Sequence, residues 1–274
     1  MDDFAARYGP WALIAGASEG TGASFARRIA ERGINVALIA RRPDPLEELA
    51  GELRAATDVQ IRTASVDLTA PSVMEDLAPL VDGIEIGLLV YNAGAVYWAD
   101  SFVDRELADL VHLVDLNCRG TVLLTHHFGA AMAARGRGGI ILMTSMSAAA
   151  GSAYTAVYNA SKAFDIVLAE SLWIELGQRG VDVLGAVAGL TDTPAMRRSG
   201  IRFDDPMFVA MAADDVADEA LGALGRGPVH VAGEQNREMA ASLWPGSRSE
   251  MVAGMSAGAA SLYGLPVLPA PPVP

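Results

Sequence analysis

Residues 11–32 read WALIAGASEGTGASFARRIAER: an apolar run (11–16), a loop holding Gly16, Gly20 and Gly22, and a stretch from Gly20 to Arg32 with helical periodicity. This order predicts a strand, a tight turn and a helix. Glycines at such a turn let the backbone bend sharply and approach a pyrophosphate, whose charge then meets unpaired N–H groups at the helix N-terminus. Ser18 and Thr21 stand in the same loop and are candidate ligands. Glycines also serve ordinary strand-to-helix turns, so the remaining sequence has to decide between the two.

Outward from that loop the pattern alternates. Short apolar runs at 34–40, 59–66, 86–94, 139–145, 181–189 and 228–233 predict strands, and the stretches 43–56, 71–81, 102–116, 117–135 and 155–179 predict helices. Strands alternating with helices imply βαβ units and a parallel sheet, and the run IGLLVYNAG (86–94) is apolar enough for a strand covered on both faces. The expected fold class is α/β: a Rossmann-like, doubly wound parallel sheet of about seven strands flanked by helices, in three α/β/α layers. Segment 190–212 breaks the alternation. No internal linker is visible, so residues 1–265 are expected to form one domain, followed by a Pro-rich tail at 266–274.

Apolar residues make up 51% of the 274 residues and charged ones 19%, a balance that supports a large core. The net charge of −13, without clustered Lys and Arg, argues against nucleic acid and anionic membranes as partners. The first residues, MDDFAARYGP, lack a basic segment followed by an apolar one, and no apolar run has membrane-spanning length. A cytoplasmic protein is expected. Cys118 is the only cysteine, and His112, His126, His127 and His230 lack ligand spacing, so no metal site is expected.

The helix predicted at 155–179 carries Tyr158-Asn-Ala-Ser-Lys162. Residues four apart share a helix face, and a nearby ammonium favours phenolate over phenol, which eases proton transfer near neutral pH. Ser145 ends the preceding strand, at the sheet edge where open α/β folds bind ligands. Its hydroxyl is suited to stabilise negative charge developing on a substrate oxygen. Taken singly, these residues read as a surface Tyr-Lys pair and a helix-capping serine; their joint spacing favours catalysis.

With its G-x-x-x-G-x-G loop, Asn92-Ala93-Gly94, Asn117, Ser145, Tyr158-x-x-x-Lys162 and GLTDT (189–193) in order, the chain resembles the short-chain dehydrogenase/reductase family. The resemblance covers residues 15–193 and implies hydride transfer between a nicotinamide and a ketone or secondary alcohol. It further implies that Tyr158 transfers the proton, Ser145 assists, Lys162 also holds the nicotinamide ribose, and Asn117 supports a water chain leading to Tyr158. Asn92, Ala93, Gly94, Gly189, Thr191 and Thr193 match its cofactor-binding positions. Asp67 and Leu68, in VDLT, match the adenine-contacting region, although Asp67 also reads as a helix N-terminal turn. Departures are Ala15, Tyr91 and Ala188, where the family's usual pattern has Thr, Asn and Pro; Tyr91 and Ala188 are expected to reshape the nicotinamide end.

NAD-selective sites usually place a carboxylate at the end of the second strand. Here Ala40 is followed by Arg41 and Arg42, and guanidinium groups pair with a 2′-phosphate. NADP(H) is therefore expected to be preferred, with NAD(H) possible, while Glu19 in the glycine loop counts against the phosphate. Val96, Tyr97, Trp98, Ser147, Tyr154, Leu190, Met196, Phe203 and Met207, with Phe208, are the candidate substrate walls. Their apolar character favours a hydrophobic carbonyl compound. A 3-oxoacyl-thioester reductase and a catalytically silent, cofactor-binding regulatory protein are the alternatives. Apolar residues spread around the helices at 117–135 and 155–179, and the pairing of these helices in the family implies a homodimer or homotetramer.

Overall fold

The computed structural model describes residues 3–94, 99–204, 209–244, 246–263 and 266–271. In chain order the elements are α1 (Asp3–Tyr8), β1 (Trp11–Ala15), α2 (Gly20–Glu31), β2 (Asn35–Ala40), α3 (Pro43–Ala56), β3 (Ile61–Ser65), α4 (Val73–Val81) and β4 (Ile86–Tyr91). There follow α5 (Leu107–Val114), a π-helical turn (Asp115–Arg119), α6 (Gly120–Arg135), β5 (Gly138–Ser145), α7 (Ala156–Gly177) and β6 (Val181–Ala188). Last come β7 (Thr191–Asp192), α8 (Pro194–Arg198), β8 (Met211–Ala212), α9 (Ala213–Ala223), β9 (Val229–Val231), α10 (Glu234–Leu243) and α11 (Arg248–Tyr263).

Seven parallel strands form one sheet in the order β3-β2-β1-β4-β5-β6-β9, the Rossmann-like arrangement expected from the alternation. Each strand alternates its side chains between two helix layers. Ala12 and Ile14 of β1 pack with Phe25 and Ile29 of α2, whereas Leu13 and Ala15 belong to the layer containing Leu77, Phe128 and Trp173. Both faces are covered, and this is why β1, β2 and β4 read as nearly unbroken apolar runs.

The chain reverses direction across the sheet between β1 and β4, which pair through Ala15 and Tyr91 at their carboxyl ends. Ligands of such sheets bind outside the strands at this switch point. Segment 190–212, which breaks the alternation, supplies a small second sheet: β7 pairs with β8 through Thr191↔Met211 and Asp192↔Ala212. Neither short strand is evident in the sequence, and neither are α1, α9, α10 and α11. Residues 266–271 carry no regular secondary structure and pass the end of α7, where the Pro269 carbonyl accepts from Gln178 Nε2 at 2.6 Å.

Candidate active site

A cleft of about 1150 Å³ opens at the carboxyl edge of the sheet. Gly16, Ser18, Gly20 and Thr21 form one wall, with Arg41, Arg42 and Leu68 beside them; Asn92, Ala93 and Gly94 come from the end of β4. Ser145, Ser147 and Tyr158 stand at the centre, and Gly189, Leu190, Thr191, Thr193 and Met196 close the far side. Residues far apart in sequence thus meet because four neighbouring strands end at one level.

Backbone proximity makes the glycine loop what it is. A side chain at Gly22 would put its Cβ 2.0 Å from the Gly16 carbonyl oxygen and 2.7 Å from Asn92 Nδ2. That amide donates to the same Gly16 oxygen at 3.0 Å, locking the loop after β1 to the loop after β4. The N-terminus of α2 opens onto the cleft with Gly20 and Thr21, so its unpaired N–H groups are available to phosphate oxygens. Thr193 accepts from Met196 N at 3.2 Å and caps α8, while Thr191 donates to Gly189 O at 3.1 Å.

The catalytic candidates divide between the cleft wall and the layer behind it. Ser145 ends β5, where its Oγ accepts from Ser147 N at 3.2 Å, and Tyr158 lies in the first turns of α7. One turn on, Lys162 is 4% exposed; its Nζ donates to Met143 O at 2.8 Å and to Asp165 Oδ2 at 3.0 Å. Burial alone would lower the lysine's proton affinity. The charge of Asp165, the neighbouring Tyr158 and the Asp165 hydrogen bond outweigh it and hold Lys162 above its usual value.

Asn117 sits in the π-helical turn between α5 and α6, a turn that leaves one backbone carbonyl outside the regular ladder. Tyr91 Oη donates to Leu116 O there at 2.6 Å. Asn117 Nδ2 donates to Ser161 Oγ at 2.8 Å, and its buried Oδ1 has no partner. A Cβ at Gly94, whose φ is +150°, would stand 2.9 Å from that oxygen and 3.0 Å from Lys162 Nζ. Glycine at this position is what lets the amide and the ammonium face the same backbone.

Other candidates lie elsewhere. Tyr154, expected in the substrate pocket, is 65% exposed with a φ of +69°, and this left-handed turn sets it in a separate hollow with Asp100, Phe102 and Arg105. Phe203 is outside the cleft lining and stacks under the Arg197 guanidinium at 5.1 Å. Asp67 faces its own turn, accepting from Thr69 N at 2.9 Å and Oγ1 at 2.8 Å. Tyr91 points into the helix layer and so does not reshape the cleft, whereas Ala188 lines it. Val96, Tyr97, Trp98, Met207 and Phe208 lie outside the described residues.

Three features are absent from the sequence reading. Glu19 accepts from Arg42 at 2.8 Å and is gripped by both terminal nitrogens of Arg198, which ties the glycine loop to α8. Asn236 and Met239 of α10 line the cleft. Asp165 is buried against the lysine; an acidic residue three positions after Lys162 on an apolar helix is the signal that marks it.

The residues fit a dinucleotide. The Gly16–Gly22 contact leaves no side chain between backbone and ligand, and the helix N-terminus at Gly20 and Thr21 offers donors to the cleft. Among the described residues no group of three His, Cys, Asp or Glu is placed to hold a metal, and no helix is long and apolar enough to cross a membrane.

Comparisons with known proteins agree with this geometry. The short chain dehydrogenase family model matches residues 10–201. The chain is 30% identical over 235 residues to a 7β-hydroxysteroid dehydrogenase of Collinsella aerofaciens, covering 85% of this chain and 89% of that one. It is 34% identical over 211 residues to a very-long-chain 3-oxoacyl-CoA reductase of Podospora anserina, covering 75% of this chain and 62% of that one. A short-chain dehydrogenase from Sphingobium yanoikuyae, solved in complex with NADPH, superimposes with a TM-score of 0.76 at 27% identity, covering 94% of this chain and 96% of that one. The chain belongs to the short-chain dehydrogenase family and is an NAD(P)-dependent oxidoreductase that acts on carbonyl and alcohol groups.

Proposed function

We propose that this oxidoreductase uses NADP(H) in preference to NAD(H) and acts on a hydrophobic ketone or secondary alcohol, in a single domain spanning residues 1–265. One observation carries the reading: Ser145 and Tyr158 line the same cleft as the glycine loop, facing an apolar wall of Leu190, Met196, Ile201 and Met239. Arg41 and Arg42 line the cleft beyond Ala40, which supports a 2′-phosphate partner. The relatives named for hydroxysteroids and very-long-chain acyl groups act on bulky apolar molecules, in keeping with such a wall.

In this reading the bound nicotinamide supplies or accepts the hydride. Tyr158 Oη gives its proton to the carbonyl oxygen in reduction and takes it back in oxidation, while the Ser145 hydroxyl donates a hydrogen bond to the same oxygen. Lys162 stabilises the phenolate left behind through its charge. Asn117 Oδ1 holds a water through which Tyr158 is reprotonated. The apolar wall of Leu190, Met196, Ile201 and Met239 excludes bulk water from the reacting atoms, which strengthens these interactions.

A screen of steroid, aryl, acyl-thioester and sugar ketones, followed by NADPH consumption, tests the substrate class. Turnover of acyl thioesters alone would favour a 3-oxoacyl-thioester reductase instead, a reading encouraged by Arg198 and Arg202 on the cleft wall. Tyr158→Phe should lower kcat by roughly 100-fold or more, the usual contribution of a general acid. Full turnover in that variant would remove Tyr158 from the mechanism. Exposed Val114, Val122, Phe164 and Val167 on α5, α6 and α7 support assembly as a homodimer or homotetramer. Sedimentation as a monomer at micromolar concentration would contradict that.

A further inference from the structure

Behind Tyr158 lies one charged side chain that the reaction as described leaves unused. Asp165 follows Lys162 by three residues on α7 and is 1% exposed. Its Oδ2 accepts from Lys162 Nζ at 3.0 Å while Met143 O of β5 accepts another N–H at 2.8 Å, so two of the three ammonium donors are fixed. Its Oδ1 is buried without a hydrogen-bond partner.

The titratable groups around this pair come from several elements. Tyr158 shares α7, Cys118 faces it from the π-helical turn and Tyr91 from β4, with the Thr121 hydroxyl of α6 nearby. Burial pushes the Cys118 thiol up to about 11 and Tyr91 above the usual phenol range, so both are neutral at pH 7. Asp165 is thus the carboxylate whose charge acts most strongly on Lys162 among the described residues. Burial also pushes the Asp165 carboxyl up, opposed by the charge and hydrogen bond of Lys162 and by Thr121.

A lysine taken out of water loses its proton unless a counter-charge holds it. We propose that Asp165 is a positioning residue for the reaction: it keeps Lys162 in its ammonium form, anchored against Met143 O, with one N–H left to serve the cleft. The catalytic consequence rests on the oxidoreductase reading above, whereas the charge state is a property of the free protein.

Lys162 is the only lysine in the chain. Protein labelled with carbon-13 at the lysine ε position therefore gives a single side-chain resonance, and its titration without cofactor reads Lys162 directly. In the wild type it should remain an ammonium past the ordinary lysine midpoint of roughly pH 10.4. In Asp165→Asn the midpoint should fall by about two units or more, in line with buried lysines lacking a partner. The variant's kcat/KM for carbonyl reduction should then decline as pH rises through that same lowered midpoint, a limb the wild type lacks. An unchanged midpoint in Asp165→Asn, or a shift upward, overturns the proposal. Should that variant fail to fold, the wild type decides alone: a midpoint above the ordinary lysine value supports the proposal, and one at or below it refutes it. A wild type that turns over no carbonyl substrate, with the titration shift intact, would count against the reaction reading only; turnover without the shift, or a variant whose kcat/KM shows no decline through its lowered midpoint, would remove Asp165 only.

Discussion

Replacing Glu19 by glutamine should sharpen the preference for NADPH. Glu19 holds Arg42, one of the two arginines proposed to meet a 2′-phosphate, at 2.8 Å, and at the same time holds Arg198. A phosphate arriving at Arg42 must displace or share that ion pair. With side chains half-exposed on Arg42 and about a quarter exposed on Glu19, the pair contributes about 0.2–1 kcal/mol. Repulsion adds to this. Taking a separation of roughly 7 Å and an effective dielectric constant of about 60, two unit charges repel by about 0.8 kcal/mol. The phosphate carries nearly two charges, and salt roughly halves the effect, so a net repulsion of about 0.8 kcal/mol remains. Together the two contributions reach about 1–1.8 kcal/mol, or roughly a five- to twentyfold change in Kd. NADH lacks the phosphate and should change little.

The assay is fluorescence titration of wild type and Glu19→Gln with NADPH and with NADH, at low and high salt. The Kd ratio should move roughly five- to twentyfold toward NADPH at low salt and less at high salt. A ratio unchanged within about twofold, or displaced toward NADH, would show that Arg42 and Glu19 do not meet the phosphate.

Two further changes probe the frame of the site. Gly22→Ala forces a methyl group to within 2.0 Å of the Gly16 carbonyl, where only backbone can yield; differential scanning calorimetry should show a loss of about 2–3 kcal/mol, several degrees in Tm, together with weaker cofactor binding. Arg248→Ala strips Glu170 of its partner, Nε–Oε1 2.6 Å, against the buried face of α7. Burial already raises Glu170 above its usual value, with Arg248 lowering it. Without the arginine the rise grows, so the folded state binds the proton more tightly than the unfolded one. Stability should then fall as pH climbs from about 4.3, the unfolded carboxyl value, through the raised folded value. Urea melts across that range check the slope, and a variant as stable at neutral pH as at pH 4 would refute it.

What the sequence discloses is uneven for physical reasons. The strands are legible because β1, β2 and β4 are buried on both faces, so apolarity alone marks them. Tyr158 and Lys162 are legible because four-residue spacing on a helix is local geometry. The turn carrying Asn117 is less so: the sequence suggests two helices meeting near 116, whereas the chain stays helical through a π-turn whose freed carbonyl is taken up by Tyr91. No local pattern announces a hydrogen bond between residues 25 apart. The Glu19 clamp is hidden for the same reason, since Arg198 reaches it across 179 residues of sequence. The helices α10 and α11 escape notice because one is largely polar and the other rich in Gly, Ala and Ser, so neither shows a clear apolar stripe.

The solitary buried lysine has a practical side. Reagents that acylate primary amines find the chain's one ε-amine enclosed behind the cleft. Brief treatment with such reagents should therefore spare Lys162 and leave turnover intact. Slow, cofactor-sensitive labelling of Lys162 would report how often the interior of the site opens to solvent.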